Sequence, residues 1–337
     1  MRFLNQFLRF GHGAPPRSGK AGQRCKKFQW RPRIEILEER CLLATIVTTA
    51  SDALVHAGTS LRDAVVEANF AASGGLSDTI TFAPGLNGDT ITLTQGQLQL
   101  NSVGSATETI DGGGQIAVSG NLQFLVLNIS SGIVNLSGLT IENGHGSTGG
   151  GLVNSGTLTL TNCTISGNIA TSNGGGIFNL GTLTLTNCTI SSNTVTDGDG
   201  GGIFSRGTST LTNCTIYGNT ATAPQGGGAN GGGIFSFGTL TLTNCTISGN
   251  TTIDGGGIDN DYGSTTLTNC TVSNNSAGVG GGLINYATMT VTNSTLVGNS
   301  ATSNGGGLSN SGAVRLTDTT ITGNSSSLGG GIIDGIG

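Results

Sequence analysis

The sequence predicts an all-β fold, a parallel β-helix with three short strands per coil of about 25 residues and one short capping helix near the amino end. Three observations predict it. Glycine triplets recur, with third glycines at 151, 176, 202, 233, 257, 282, 307 and 331, in steps of 25, 26, 31, 24, 25, 25 and 24 residues. Between triplets, Leu158 and Leu160 alternate with Thr157, Thr159 and Thr161, the period of a strand with one face buried. Aligning the coils then puts like residues in columns, as stacking one lap over the next requires.

Two of those columns are aliphatic. Leu160, Leu185, Leu211, Leu242, Leu267, Val291 and Leu316 share one position, and Ile165, Ile190, Ile216, Ile247, Val272, Leu296 and Ile321 share another. Both are expected inside. Asn162, Asn187, Asn213, Asn244, Asn269 and Asn293, continued by Asp318, form a third column; Asn168, Asn193, Asn219, Asn250, Asn275, Asn299 and Asn324 form a fourth. Asparagine tolerates a left-handed corner and bonds the amide one coil away. The glycine triplets are expected where a corner leaves no room for a Cβ.

Composition agrees with a thin, aromatic-poor core: glycine is 61 of 337 residues, aromatics are 4% and charged residues 9%. There is no run of 18 apolar residues, so no transmembrane segment is expected. Residues 1–44 hold ten Lys or Arg against Glu35, Glu38 and Glu39, a net of +7, and the rest holds three against 15 acids, a net of −12, giving the total of −5. So acidic a body does not suit nucleic acid.

The chain therefore divides into a basic, disordered export leader (1–44), a cap with irregular first coils (45–148) and regular repeats (149–337). In the leader, a basic stretch precedes the short apolar run Cys41–Val47, the order of an n-region and a weak h-region. Arg31–Ala44, RPRIEILEERCLLA, resembles the LEPR-XLL segment of large exported planctomycete proteins, with Leu37, Glu38, Arg40, Leu42 and Leu43 in matching places and Glu39 where that family has proline or aspartate. The resemblance implies export to the cell envelope or outside.

In the cap, Ser60 with Asp63 starts a helix over Leu61–Ala72 whose Leu61, Ala64, Val65 and Ala68 share a face. The stretch TSLRDAVVEAN and the strands after it resemble the CSLREA-type module at the head of such β-helix proteins. Thr59 replaces the family cysteine and Asp63 its glutamate. Thr90–Leu93, Thr109–Ile110, Phe124–Leu127, Ile133–Leu136 and Leu139–Ile141 read as early coils. The 31-residue step places a loop at Ala221–Asn230, read as a spacer. Gly331–Gly337 begins another coil, so the sequence reads as a truncated product or one with an open end. The repeats resemble the GGAI/FxxN units of polymorphic outer-membrane proteins and autotransporter passengers, which implies a right-handed helix.

Chemistry-bearing residues are few. Cys163, Cys188, Cys214, Cys245 and Cys270 share a column, continued by Ser294 and Thr319, and read as free interior thiols; neither CxxC nor a histidine set accompanies them. Asn-Cys-Thr is a glycosylation sequon at all five, discounted because a corner asparagine is expected to be buried. His145 reads as a turn residue in water. Asp254, Asp259 and Asp261, beside Tyr262, are the candidate binding residues; Asp199 shares the column of Asp254, and Arg206 aligns with Leu180 and Phe237. Aspartates before glycine also suit turns. No catalytic residue, metal ligand or cofactor is assigned.

The expected function is an exported surface scaffold or adhesin, presenting repeat faces to polysaccharide or a cell-surface protein without catalysis. The alternatives are a polysaccharide lyase or hydrolase on the same scaffold, and ice binding by the stacked Thr-x-Thr triplets.

Overall fold

The computed structural model describes residues 43–224 and 227–335. The leader expected at 1–44 lies outside them except for its last two residues. The apolar run Cys41–Val47 corrects one expectation: its last five residues are not an export core but strand β1, Leu43–Val47, parallel to β2, Asp78–Phe82. Val47 is fully buried there, so the run is apolar because it helps close the first coil.

Helix α1, Leu61–Ser73, begins on a complete capping box: Ser60 Oγ accepts from the Asp63 N–H, and the Asp63 carboxylate accepts from the Ser60 N–H. That satisfies donors the first turn would leave orphaned. Leu61, Ala64, Val65 and Ala68 join one core with Val47, Ile80 and Ile91. The helix thus covers apolar ends that a solenoid would otherwise expose.

A salt bridge fixes this cap to the first coil. Arg62 donates from Nε to Asp52 at 2.7 Å and from Nη2 at 3.0 Å, and reaches the carbonyls of Gly96 and Gln97. Burial works against ionisation of Asp52, but Arg62 and the N–H groups of Thr94 and Gln95 outweigh it and hold the carboxyl below its usual range.

Coils then stack in parallel and in register. Leu185 pairs with Leu160 behind it and Leu211 ahead, and all three are fully buried. Sheet B has ten strands, one per coil. Sheet A carries two rows, exemplified by Thr157–Thr161 and Thr164–Ser166. They belong to one sheet because the early strands Thr107–Ser119 and Ile133–Glu142 run through the corner unbroken. A short fourth strand, such as Ile169–Asn173, adds sheet C in several coils. The outward threonines of sheet A are in register from coil to coil.

The two asparagine columns divide their work. Asn162, Asn187, Asn213, Asn244, Asn269 and Asn293 have φ of 49 to 55° and are exposed, contrary to the burial expected of the sequons. The left-handed turn throws the side chain outward, where Asn187 Nδ2 donates to Asn162 Oδ1 at 3.2 Å. The Asn168 column is fully buried instead as far as Asn299, with Asn324 half-buried. There Asn193 Nδ2 donates to Asn219 Oδ1 and to the Ile165 carbonyl, and Asn193 N–H donates to the same Oδ1. Every amide is bonded, so the polar line costs the apolar interior little. A further inward set in sheet B includes Asn154 donating to Asn179 at 2.8 Å and Asn260 to Asn285 at 2.7 Å.

The triplet Gly174–Gly176 shows why glycine recurs. Gly174 has φ +66°, and a Cβ on Gly175 would lie 2.3 Å from the Gly201 carbonyl oxygen. The five column cysteines are buried and free. Cys188 Sγ donates to the Leu160 and Thr186 carbonyls, and the adjacent Cys163 and Cys214 side chains, then burial, push it up, so it stays protonated.

Candidate functional site

In sheet B, Ile177 and Asn179 face the interior and Phe178 between them faces out. Register extends that outward position into a file, Asn128, Val153, Phe178, Phe204, Phe235 and Asp259, one residue per coil. The three candidate acids, with Asp199 and aromatic neighbours, gather along it, and Phe204, Phe235 and Asp259 are buried there.

The rings form a continuous strip. Phe178 stacks on Phe204 with centroids 5.1 Å apart, Phe204 lies 5.4 Å from Phe235, and Phe235 meets Phe237 edge-on at 4.9 Å. Phe237 stacks on Tyr262 at 5.2 Å with the ring planes nearly parallel, leaving Tyr262 75% exposed. Arg206 lies over two of these rings, 5.6 Å from Phe204 and 5.3 Å from Phe237. The alignment of Arg206 with Leu180 and Phe237 therefore has a physical outcome, a cation held on a ring face.

Asp259 takes the place that phenylalanine holds one coil earlier. It is 1% exposed, and its Oδ1 has no hydrogen-bond partner. Burial, then the charges of Asp261, Asp254 and Asp199, raise its carboxyl well above the usual range. Asp254 is raised by burial against a bond from Val279, and Asp261 by burial alone. Asp199, one step beyond Asn230 in the Asp254 column, accepts from Asn230 N and Nδ2 at 2.9 Å. Tyr286 feels the same field: burial and then Asp259, Asp254 and Asp261 push its phenol up. The structure thus brings Asp199, Asp254, Asp259 and Asp261 into one electrostatic group. Among the described residues, no three His, Cys, Asp or Glu side chains converge to hold a metal ion.

Residues 102–239 match the family model described as "Right handed beta helix region". The fold is a right-handed parallel β-helix. No curated protein matches the sequence. Among solved structures, the chain is similar to pectate lyase Pel9A, at 14% identity over 84% of this chain and 79% of that one, with a TM-score of 0.47. The mannuronan C-5 epimerase AlgE4 A-module of Azotobacter vinelandii has the same identity and TM-score, over 81% of this chain and 95% of that one. An endo-xylogalacturonan hydrolase from Aspergillus tubingensis matches at 14% identity over 86% of this chain and 99% of that one, with a TM-score of 0.39.

Sequence reasoning reached the acids and Tyr262 but not the ring strip or Tyr286. The signal was present, since Phe178, Phe204 and Phe235 recur in the glycine-triplet motif at one position. Parity against Ile177 puts them on the far side of sheet B from the aliphatic columns, where Phe204 and Phe235 are buried against neighbouring rings. His145 corrects another expectation: it is half-buried and opens the short strand His145–Thr148 rather than a solvated turn.

Proposed function

We propose that the chain is an exported, non-catalytic β-helical rod that displays its sides to a polysaccharide or a surface protein, with the open corner beside sheet B, at Arg206, Phe237, Tyr262 and Tyr286, as the contact surface. The supporting observation is the break in repetition at that corner. Sheet A presents the same threonines coil after coil, whereas the corner beside sheet B carries a unique group, half-buried Phe237 and exposed Tyr262 with Arg206 above, seated on the buried rings of Phe204 and Phe235. Exposed aromatic faces give large contact area at low entropic cost, and sugar rings and peptide side chains both pack on them. Export is supported by the basic head and the segment RPRIEILEERCLLA.

Turnover is disfavoured by the same geometry. A lyase or hydrolase needs a carboxyl group and a base within reach of the scissile bond. Asp259 is shut away from solvent, and the Arg206 guanidinium rests on two rings. The test is a glycan array on the full chain, with a screen for cleavage of neutral and uronate polysaccharides with calcium. Array binding that Tyr262→Ala weakens, with no cleavage, is the expected result. Cleavage of any glycan would replace this reading with the enzymatic one; neither binding nor cleavage would leave a purely architectural role.

A further inference from the structure

We infer that the amino-terminal end of the sheet B face holds a binding pocket for an uncharged saccharide unit, a deepening of the display reading above. A cavity of about 430 Å³ sits where the outward file begins, with Asn128 and Val153 on its floor. Val153 pairs with Phe178, so the cavity opens in line with the ring strip.

Its walls are held by backbone. The chain reverses at Asn121 and Leu122, both with positive φ, and Leu122 N–H donates to the Asn143 carbonyl at 2.7 Å. His145 N–H donates to the Phe124 carbonyl at 2.9 Å, and the strand that His145 opens pairs with Ile169–Asn173. A site built this way exists before its ligand arrives, which lowers the ordering cost of binding.

The lining specifies the ligand. Gln97, Gln123, Asn128 and His145 supply donors and acceptors, Phe124 and Val153 supply apolar surface, and no Asp, Glu, Lys or Arg lines the cavity. A uronate or phosphate would lose hydration and meet no cation, and an amine would meet no carboxylate. A wholly apolar ligand would leave the amides unpaired. A molecule with many hydroxyls and one apolar ring face satisfies both halves, and the volume accepts roughly one or two sugar units.

The experiment is calorimetric titration of the full chain with cellohexaose, xylohexaose and a galacturonate hexamer. Two variants address the cavity. Gln123→Ala with His145→Ala removes polar groups, and Val153→Phe fills the space with the residue found one coil on. Tyr217→Ala, exposed on sheet A, serves as the distant control, and Tyr262→Ala tests the ring strip. A neutral hexamer should bind, weaken at least about tenfold in both cavity variants, and change little with Tyr217→Ala, all variants melting like the parent. Loss with Tyr262→Ala alone would overturn the pocket and keep the display reading. Tighter binding of the uronate would also overturn it. No binding of any hexamer would overturn it as well, and the glycan array would decide the display reading separately.

Discussion

At the scale of single residues, the least expected is Glu108. It occupies the interior column of Asp78 and Val134, is 0% exposed, and neither carboxyl oxygen has a hydrogen-bond partner. Burial pushes its carboxyl up to about 7; the nearby Asn101 backbone N–H, which donates to Asn69, opposes the rise and Asp78 adds to it. The folded value lies above the unfolded one, so stability is fully present below the unfolded value, falls as pH rises between the two, and is lost above the folded value. The full loss is roughly 3 kcal/mol. The melting temperature should fall from pH 5 to pH 8, and Glu108→Gln should remove most of that slope. Parallel slopes in parent and variant would refute this. Parity with Ile110 places Glu108 inside from sequence alone, but nothing local shows that its carboxyl meets no hydrogen-bond partner there.

Among the elements, the cap is where local sequence and long-range contact meet. Ser60, Asp63 and the buried face of α1 were legible because capping and amphipathic spacing are local. The bond from Arg62 to Asp52 was not, because it joins a loop to a helix and to the carbonyls of Gly96 and Gln97 in the first coil. Arg62→Ala leaves Asp52, 5% exposed, without its counter-charge, and should cost about 3 kcal/mol. Amide exchange in Leu61–Ser73 and Leu43–Val47 should accelerate while the regular coils stay protected. Uniform acceleration along the whole chain would show instead that the cap does not open separately. The cavity beside His145 was equally hidden, since it depends on Leu122 adopting a left-handed backbone that its side chain does not favour.

For the whole molecule, the interior was almost entirely readable. Period and parity placed the leucine and isoleucine columns, and register confirms them pair by pair. The outer surface was less so, because columns say which residues stack and not which rings meet across corners, as Phe237 and Tyr262 do. Nearest-neighbour stacking makes one lap a removable unit. Deleting residues 283–307 brings Leu308 to the place of Leu283, its own pairing partner. That shorter protein should elute in the same oligomeric state as the parent, with unchanged circular dichroism per residue. Deleting only 283–294 sets strands against corners and should give aggregate. Equal behaviour of the two deletions would contradict the stacking argument.

The same interchangeability reaches back to the gene. Tandem segments with matching ends invite unequal recombination and replication slippage, and an exchange of one whole lap yields a protein that still folds. Natural isolates should therefore differ by complete laps, so that rod length becomes a trait adjustable without new invention, while the cap and the face beside it change by point mutation.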